Sequence, residues 1–133
     1  MATVLLDSDA INDFLFGVER SVELIRSLAA GGDTVCLCDV VLTEVYSGVR
    51  PEDRERVAGV LADFPYLPTS PAAARQAGEW RYEFARAGVR LATSDVLVAA
   101  TAHVHGAAAA HRKRRTLPHE GRRSPAAAED TTR

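Results

Sequence analysis

Two short apolar runs, Val4-Leu5-Leu6 and Val35-Cys36-Leu37-Cys38, each end directly at an aspartate, Asp7 and Asp39, and each gives way at once to a helical pattern. Runs this short, without polar alternation, read as strands buried on both faces, which is the signature of a parallel sheet. After the first run, Ile11, Phe14 and Leu15 recur at helical spacing until Gly17. Val18, Val22, Ile25 and Ala29 then mark a second helix that Gly31-Gly32 ends. Asp39 reads as the N-cap of a helix running to about Gly48. Pro51 fits the first turn of the next helix, whose core face is Val57, Val60 and Leu61. Phe64–Leu67 is a third strand candidate, weakened by Pro65. Pro71 opens a long helix with the stripe Ala73, Ala77, Trp80, Phe84 and Ala87, closed by Gly88. Ser94 or Asp95 reads as the cap of a last helix reaching about His105. That helix is apolar almost all round, so it belongs at the centre of the molecule. Strands alternating with helices predict an α/β fold, a three-layer α/β/α arrangement around a parallel sheet.

The chain has 133 residues, the size of one domain. Its net charge of −2 is unevenly placed: residues 1–106 carry 9 Arg against 15 acids, whereas residues 107–133 carry 7 basic residues against 3 acids. In that last segment Leu117 is the only strongly hydrophobic residue. Such a composition cannot bury enough surface to offset the entropy of ordering. The expected division is therefore a domain over 1–106 and a basic, disordered tail over 107–133. The tail reads as a solvated extension, with an electrostatic contact to RNA as the functional alternative. Cys36 and Cys38 would share one face of a strand, which suits core packing better than a disulfide or a metal site. No stretch resembles a signal peptide or a membrane span, so a reduced, cytoplasmic setting is expected.

Three acids bear on chemistry. Asp7 follows the first strand, Glu44 lies within Val40-Val41-Leu42-Thr43-Glu44-Val45, and Asp95 heads Val96-Leu97-Val98-Ala99-Ala100. A charge set among apolar residues is costly unless something compensates it. In an open parallel sheet, sites form outside the carboxyl ends of the strands, and Asp7 stands at such an end. Asp95 would lie near the positive end of its helix. A shared hard cation, Mg²⁺ or Mn²⁺, suits such oxygen donors and keeps several waters of its own. It can activate a water and neutralise a phosphodiester, so no nucleophilic side chain is needed. Asp7, Glu44 and Asp95 are thus the expected catalytic residues, with Asp7 and Asp95 holding the metal. Ser8 and Ser94 are the candidates to hydrogen-bond those carboxylates, and Asp9 is the candidate for a supporting acid behind them. Each also has a plainer reading: Asp7, Asp9 and Asp95 as caps, Glu44 as a surface acid. His103 and His105 are poorly spaced on a helix for joint ligation.

The segments Val4-Leu5-Leu6-Asp7-Ser8-Asp9, Leu42-Thr43-Glu44-Val45-Tyr46-Ser47-Gly48 and Asp95-Val96-Leu97-Val98-Ala99-Ala100-Thr101-Ala102 resemble the three motifs of PIN-domain ribonucleases. The best match is to the VapC toxins of type II toxin–antitoxin systems, over about residues 3–106. The resemblance implies a Mg²⁺-dependent endoribonuclease acting on RNA, a homodimer, and a VapB-type antitoxin that binds and blocks it. It also implies that Asp7, Glu44 and Asp95 are the acidic site residues. One departure stands out. After Gly106 the family continues with a strand and a fourth acid or amide, whereas this chain reads Ala107-Ala108-Ala109-Ala110-His111-Arg112-Lys113-Arg114-Arg115. The C-terminal strand or strands are therefore expected to be missing or degraded, as after a shift of reading frame in a GC-rich gene. The alternative reading is a truncated, inactive PIN domain that only binds the antitoxin. A haloacid-dehalogenase-like phosphotransferase or a response-regulator receiver would need a late lysine, and Lys113 is the only one.

Overall fold

The computed structural model describes residues 1–110. Four strands form one sheet in the order β3-β2-β1-β4. They are β1 (Thr3–Leu6), β2 (Thr34–Cys38), β3 (Tyr66–Leu67) and β4 (Ala108–Ala110), and every pairing is parallel. Between them run α1 (Ser8–Leu15), α2 (Glu19–Ala30), α3 (Asp39–Ser47), a 3₁₀ turn (Pro51–Asp53), α4 (Arg54–Leu61), α5 (Pro71–Arg86) and α6 (Thr93–Val104). The chain steps one way from β1 to β3, then returns across the sheet to β4. Right-handed crossovers therefore put α1–α4 on one face and α5–α6 on the other. The expected α/β/α layering follows. The reversal leaves a switch point between β1 and β4, where such sheets place their sites. No helix among the described residues is long and apolar enough to cross a membrane.

β1 and β2 supply the middle of the core. Leu5, Leu6, Leu37 and Cys38 are all but inaccessible, which is why their sequences are apolar without alternation. Cys36 and Cys38 are free thiols packed in that interior. Burial pushes both thiols above their ordinary value of 9.0 and keeps them unreactive. β3 is shorter than expected. Pro65 stays outside it, yet its carbonyl accepts from the Leu37 N–H at 2.9 Å, a role that needs no donor. The central helix is as predicted: Val96, Val98, Ala99, Ala100, Thr101 and Ala102 of α6 are buried. The one hydroxyl among them, Thr101, donates to the Leu97 carbonyl at 2.7 Å.

The last strand corrects the sequence reading. β4 is present, in register with β1 through Val4↔Ala108, Leu5↔Ala109 and Leu6↔Ala110. The sheet therefore extends past the boundary expected at Gly106, and the remainder of the expected tail lies outside the described residues. Alanine has poor strand propensity, but the ladder satisfies the backbone of both strands. Small side chains also let α6 lie close to the sheet: α6 contacts β4, and Ala109 and Ala110 are buried.

The stripe on α5 is half correct. Ala73 and Ala77 are buried, but Trp80 and Phe84 are only partly covered. Trp80 lies edge-on to the His103 ring at 5.3 Å. A fully buried aromatic loses about 3–5 kcal/mol on truncation to Ala. Trp80→Ala should cost less, roughly 1–3 kcal/mol, because part of its surface is already in water. Urea titration of the two proteins measures this.

Candidate active site at the carboxyl end of the sheet

Asp7 is held from both sides. Its N–H donates to the Ala110 carbonyl at 3.1 Å, continuing the β1–β4 ladder. One carboxylate oxygen accepts from the Ala10 N–H at 2.9 Å, so Asp7 is the N-cap of α1. The cap is thus Asp7 and not Asp9, which sits in the first turn. A strand that ends in an acid and a helix that begins on it place the side chain at the switch point. Asp7 is 8% exposed, the one acid in the buried interior among the described residues.

Glu44 lies on α3 and Asp95 on α6, both exposed. The two helices touch each other, and α6 also touches β1, so the three acid-bearing elements meet. Glu44 lies close enough to the end of β2 that its charge, with that of Asp39, helps raise the Cys38 thiol, after burial and against hydrogen bonds from the Val41 and Val40 backbone. Asp95 is not the cap of α6. Ala92 occupies that position without a side-chain bond, and Ser94 and Asp95 follow within the first turn. Asp95 instead lines a cavity shared with the end of α5. The structure brings the elements together but not the full ligand set. Among the described residues, no three side chains of His, Cys, Asp or Glu form a group able to hold a metal ion. Ser8 begins α1 and Ser94 is the second residue of α6, and neither hydroxyl hydrogen-bonds an acid among the described residues.

One feature of this end of the sheet is absent from the sequence reading. Asp39 does not cap α3; the capping position is Cys38, and Asp39 is the first helical residue. Its carboxylate accepts from the Tyr66 hydroxyl and, at 3.2 Å, from the Thr69 N–H. The start of the Glu44-bearing helix is thereby tied to β3 and the following loop. The Tyr66 hydroxyl holds the Asp39 carboxyl below its ordinary 3.8; burial opposes it, and the Thr69 bonds add a smaller pull downward. The same bond raises the Tyr66 phenol above 10.0. A depressed carboxyl contributes stability above its unfolded pKa, lost as pH falls through the folded one. A raised phenol contributes stability below its unfolded pKa, lost as pH climbs through the folded one. Tyr66→Phe should therefore melt below the parent near neutral pH, and the gap should close in acid as Asp39 protonates. Melting curves from pH 7 to pH 2 check this.

The sequence as a whole decides the family. Residues 4–117 match the PIN domain. The chain belongs to the PIN-domain family. This PIN domain is 32% identical over 101 residues to Ribonuclease VapC10 of Mycobacterium tuberculosis, a match covering 76% of this chain and 75% of that protein. It superimposes with a TM-score of 0.69, at 23% identity, on a chain of the DNA-bound VapBC complex from Salmonella typhimurium, covering 89% of this chain and 94% of that one. FitAcB from Neisseria gonorrhoeae gives 0.66 at 24% identity, over 80% and 84% of the two chains. These structural likenesses show the fold. The family is one of nucleases, so the PIN domain is an enzyme of the hydrolase class.

Proposed function

We propose that this PIN domain is a Mg²⁺-dependent endoribonuclease and the toxin of a type II toxin–antitoxin pair. The family match makes it a VapC-type ribonuclease toxin. Mn²⁺ is the natural substitute ion, a VapB-type antitoxin the partner, and a homodimer the working form. The observation that carries the reading is Asp7: a buried carboxylate fixed at the switch point of the sheet, one of its oxygens committed to the α1 cap. The setting of a toxin with its antitoxin is supported by the Salmonella typhimurium VapBC complex.

The donors fit a hard cation. Asp7, Glu44 and Asp95 offer only carboxylate oxygen, and Mg²⁺ is commonly held by one or two carboxylates with waters and substrate phosphate completing its shell. Asp7 and Asp95 would hold it, with Glu44 on the α3 side. When bound, the ion supplies neutralisation of the phosphodiester charge and acidification of a water. The chain's own part is positional. The Ala110 and Ala10 backbone fix Asp7, and the Asp39–Tyr66 bond anchors the helix that presents Glu44.

An inactive, antitoxin-binding remnant is favoured by one observation: no acid or amide follows β4 where the family has its fourth site residue. The presence of β4 beside Asp7 counts against it. Cleavage of RNA by the purified chain, with Mg²⁺ and with EDTA, decides between the two. A second measurement tests the ion without relying on turnover. A cation bound only by the folded state stabilises it. Mg²⁺ should raise the melting temperature of the parent and leave the Asp7→Asn/Asp95→Asn double variant unmoved.

A further inference from the structure

Between the end of α5 and the start of α6 lies a cavity of about 120 Å³, lined by Phe84, Arg90, Leu91, Asp95 and Val96 among others. It is smaller than the roughly 300–1,000 Å³ of drug-sized sites, so it suits a single ring system. Its wall is fixed. Gly88 turns the chain with a φ of +84°, and the Arg81 side chain donates to the Leu91 carbonyl at 3.1 Å. Two opposite charges, Arg90 and Asp95, share this lining. Neither side chain makes a hydrogen bond or ion pair with another described residue.

That combination restricts the occupant. An anionic ring entering the cavity meets the charge of Asp95, and a cationic ring meets that of Arg90. A neutral planar ring with an acceptor edge satisfies the cavity: apolar side chains take its faces, and the guanidinium fork takes the edge. Among the bases, guanine alone offers two adjacent acceptors, O6 and N7, to such a fork, whereas adenine sets a donor beside its N7. Asp95 is also an expected metal holder, so a base seated here belongs to a nucleotide beside the phosphate under attack. A base in a duplex cannot leave its stack to enter such a cavity without cost, whereas a single-stranded one is already splayed.

We infer that this cavity is a nucleobase pocket, which takes a guanine of single-stranded RNA next to the scissile phosphate and reads it with Arg90. The inference rests on the ribonuclease reading and names the substrate feature that reading leaves open. Arg90 is here a specificity residue, and it stands outside the acids assigned to catalysis.

The test uses the full chain and fluorescein-labelled oligouridine hexamers, each carrying one central G, A or C or none, followed by anisotropy in EDTA so that nothing is cut. The guanine-bearing hexamer should bind about tenfold tighter than the others, the discrimination of one good bidentate pair. Arg90→Ala should bring all four within about twofold, and Arg90→Lys should keep part of the affinity but not the preference, because an ammonium is a point charge. Melting temperatures of both variants should match the parent, since Arg90 is exposed. A parent without base preference, or an Arg90→Ala variant that keeps it, overturns the pocket. A parallel assay of a long RNA with Mg²⁺ separates the two failures. Cutting without base preference sinks the pocket alone; a parent that neither binds nor cuts RNA sinks the ribonuclease reading and the pocket with it.

Discussion

Asp7→Asn should give a folded protein that no longer cuts RNA. Asparagine caps a helix as well as aspartate does, and it nearly preserves the volume, so the Ala10 N–H keeps an acceptor. The charge is removed, and one acceptor oxygen becomes an amide donor. Loss of a metal-holding carboxylate should lower cleavage by at least about 100-fold, since groups that merely support a ligand already cost 10–100-fold. Asp7→Ala separates the two duties of this residue. It should lose the same activity and also about 1 kcal/mol of stability, the usual worth of an N-cap. Asp95→Asn should match Asp7→Asn in activity, yet even Asp95→Ala should melt near the parent, because Ala92 occupies the capping position of α6. Circular dichroism melts beside an RNA cleavage assay with Mg²⁺ read all four variants. Parental cleavage by Asp7→Asn would remove the metal from the mechanism.

Ala109→Asp should abolish folding of the soluble chain. Ala109 is 1% exposed and sits opposite Leu5 in the β1–β4 ladder, against α6. A carboxylate there would be buried among apolar side chains of the described core. Such a charge costs several kcal/mol. A domain has about 5–15 kcal/mol in total, so this is a large share. Ala108→Asp, one residue earlier on the exposed face of the same strand, should fold normally. Expression in the soluble fraction and the far-ultraviolet spectrum compare the two. If both variants fold equally, β4 is not part of the sheet in solution.

Much of this fold was legible because its signals are local. A buried element shows itself as an unbroken apolar run, as the strands β1 and β2 and the helix α6 do. The faint elements are those whose existence depends on partners far along the chain. Nothing in four consecutive alanines favours a strand; β4 forms because β1 presents an open row of backbone groups and α6 leaves room for small side chains only. The capping residues were misread for a related reason. Asp7, Asp9 and Asp39 are all acceptable caps by type, and the competition is settled by neighbours. Asp39 goes to Tyr66, 27 residues away, a separation that no spacing rule reaches. Likewise the positions of Asp7, Glu44 and Asp95 were visible as acids in apolar surroundings. The cavity between Arg90 and Asp95 was not, since it exists only where a loop folds back over a helix start.

The single bond from the Asp7 N–H to the Ala110 carbonyl has a consequence for how this enzyme fails. Strands at the edge of a sheet open first and most often, well below the free energy of global unfolding. Among the described residues, the outermost bond of the β1–β4 edge belongs to Asp7, the residue on which the proposed chemistry is centred. Fraying of the last strand therefore reaches Asp7 before it reaches the core, and the protein can fall silent as an enzyme while remaining folded by every bulk measure. Sequence changes confined to Ala108–Ala110 then act as a dial on activity, without touching Asp7, Glu44 or Asp95.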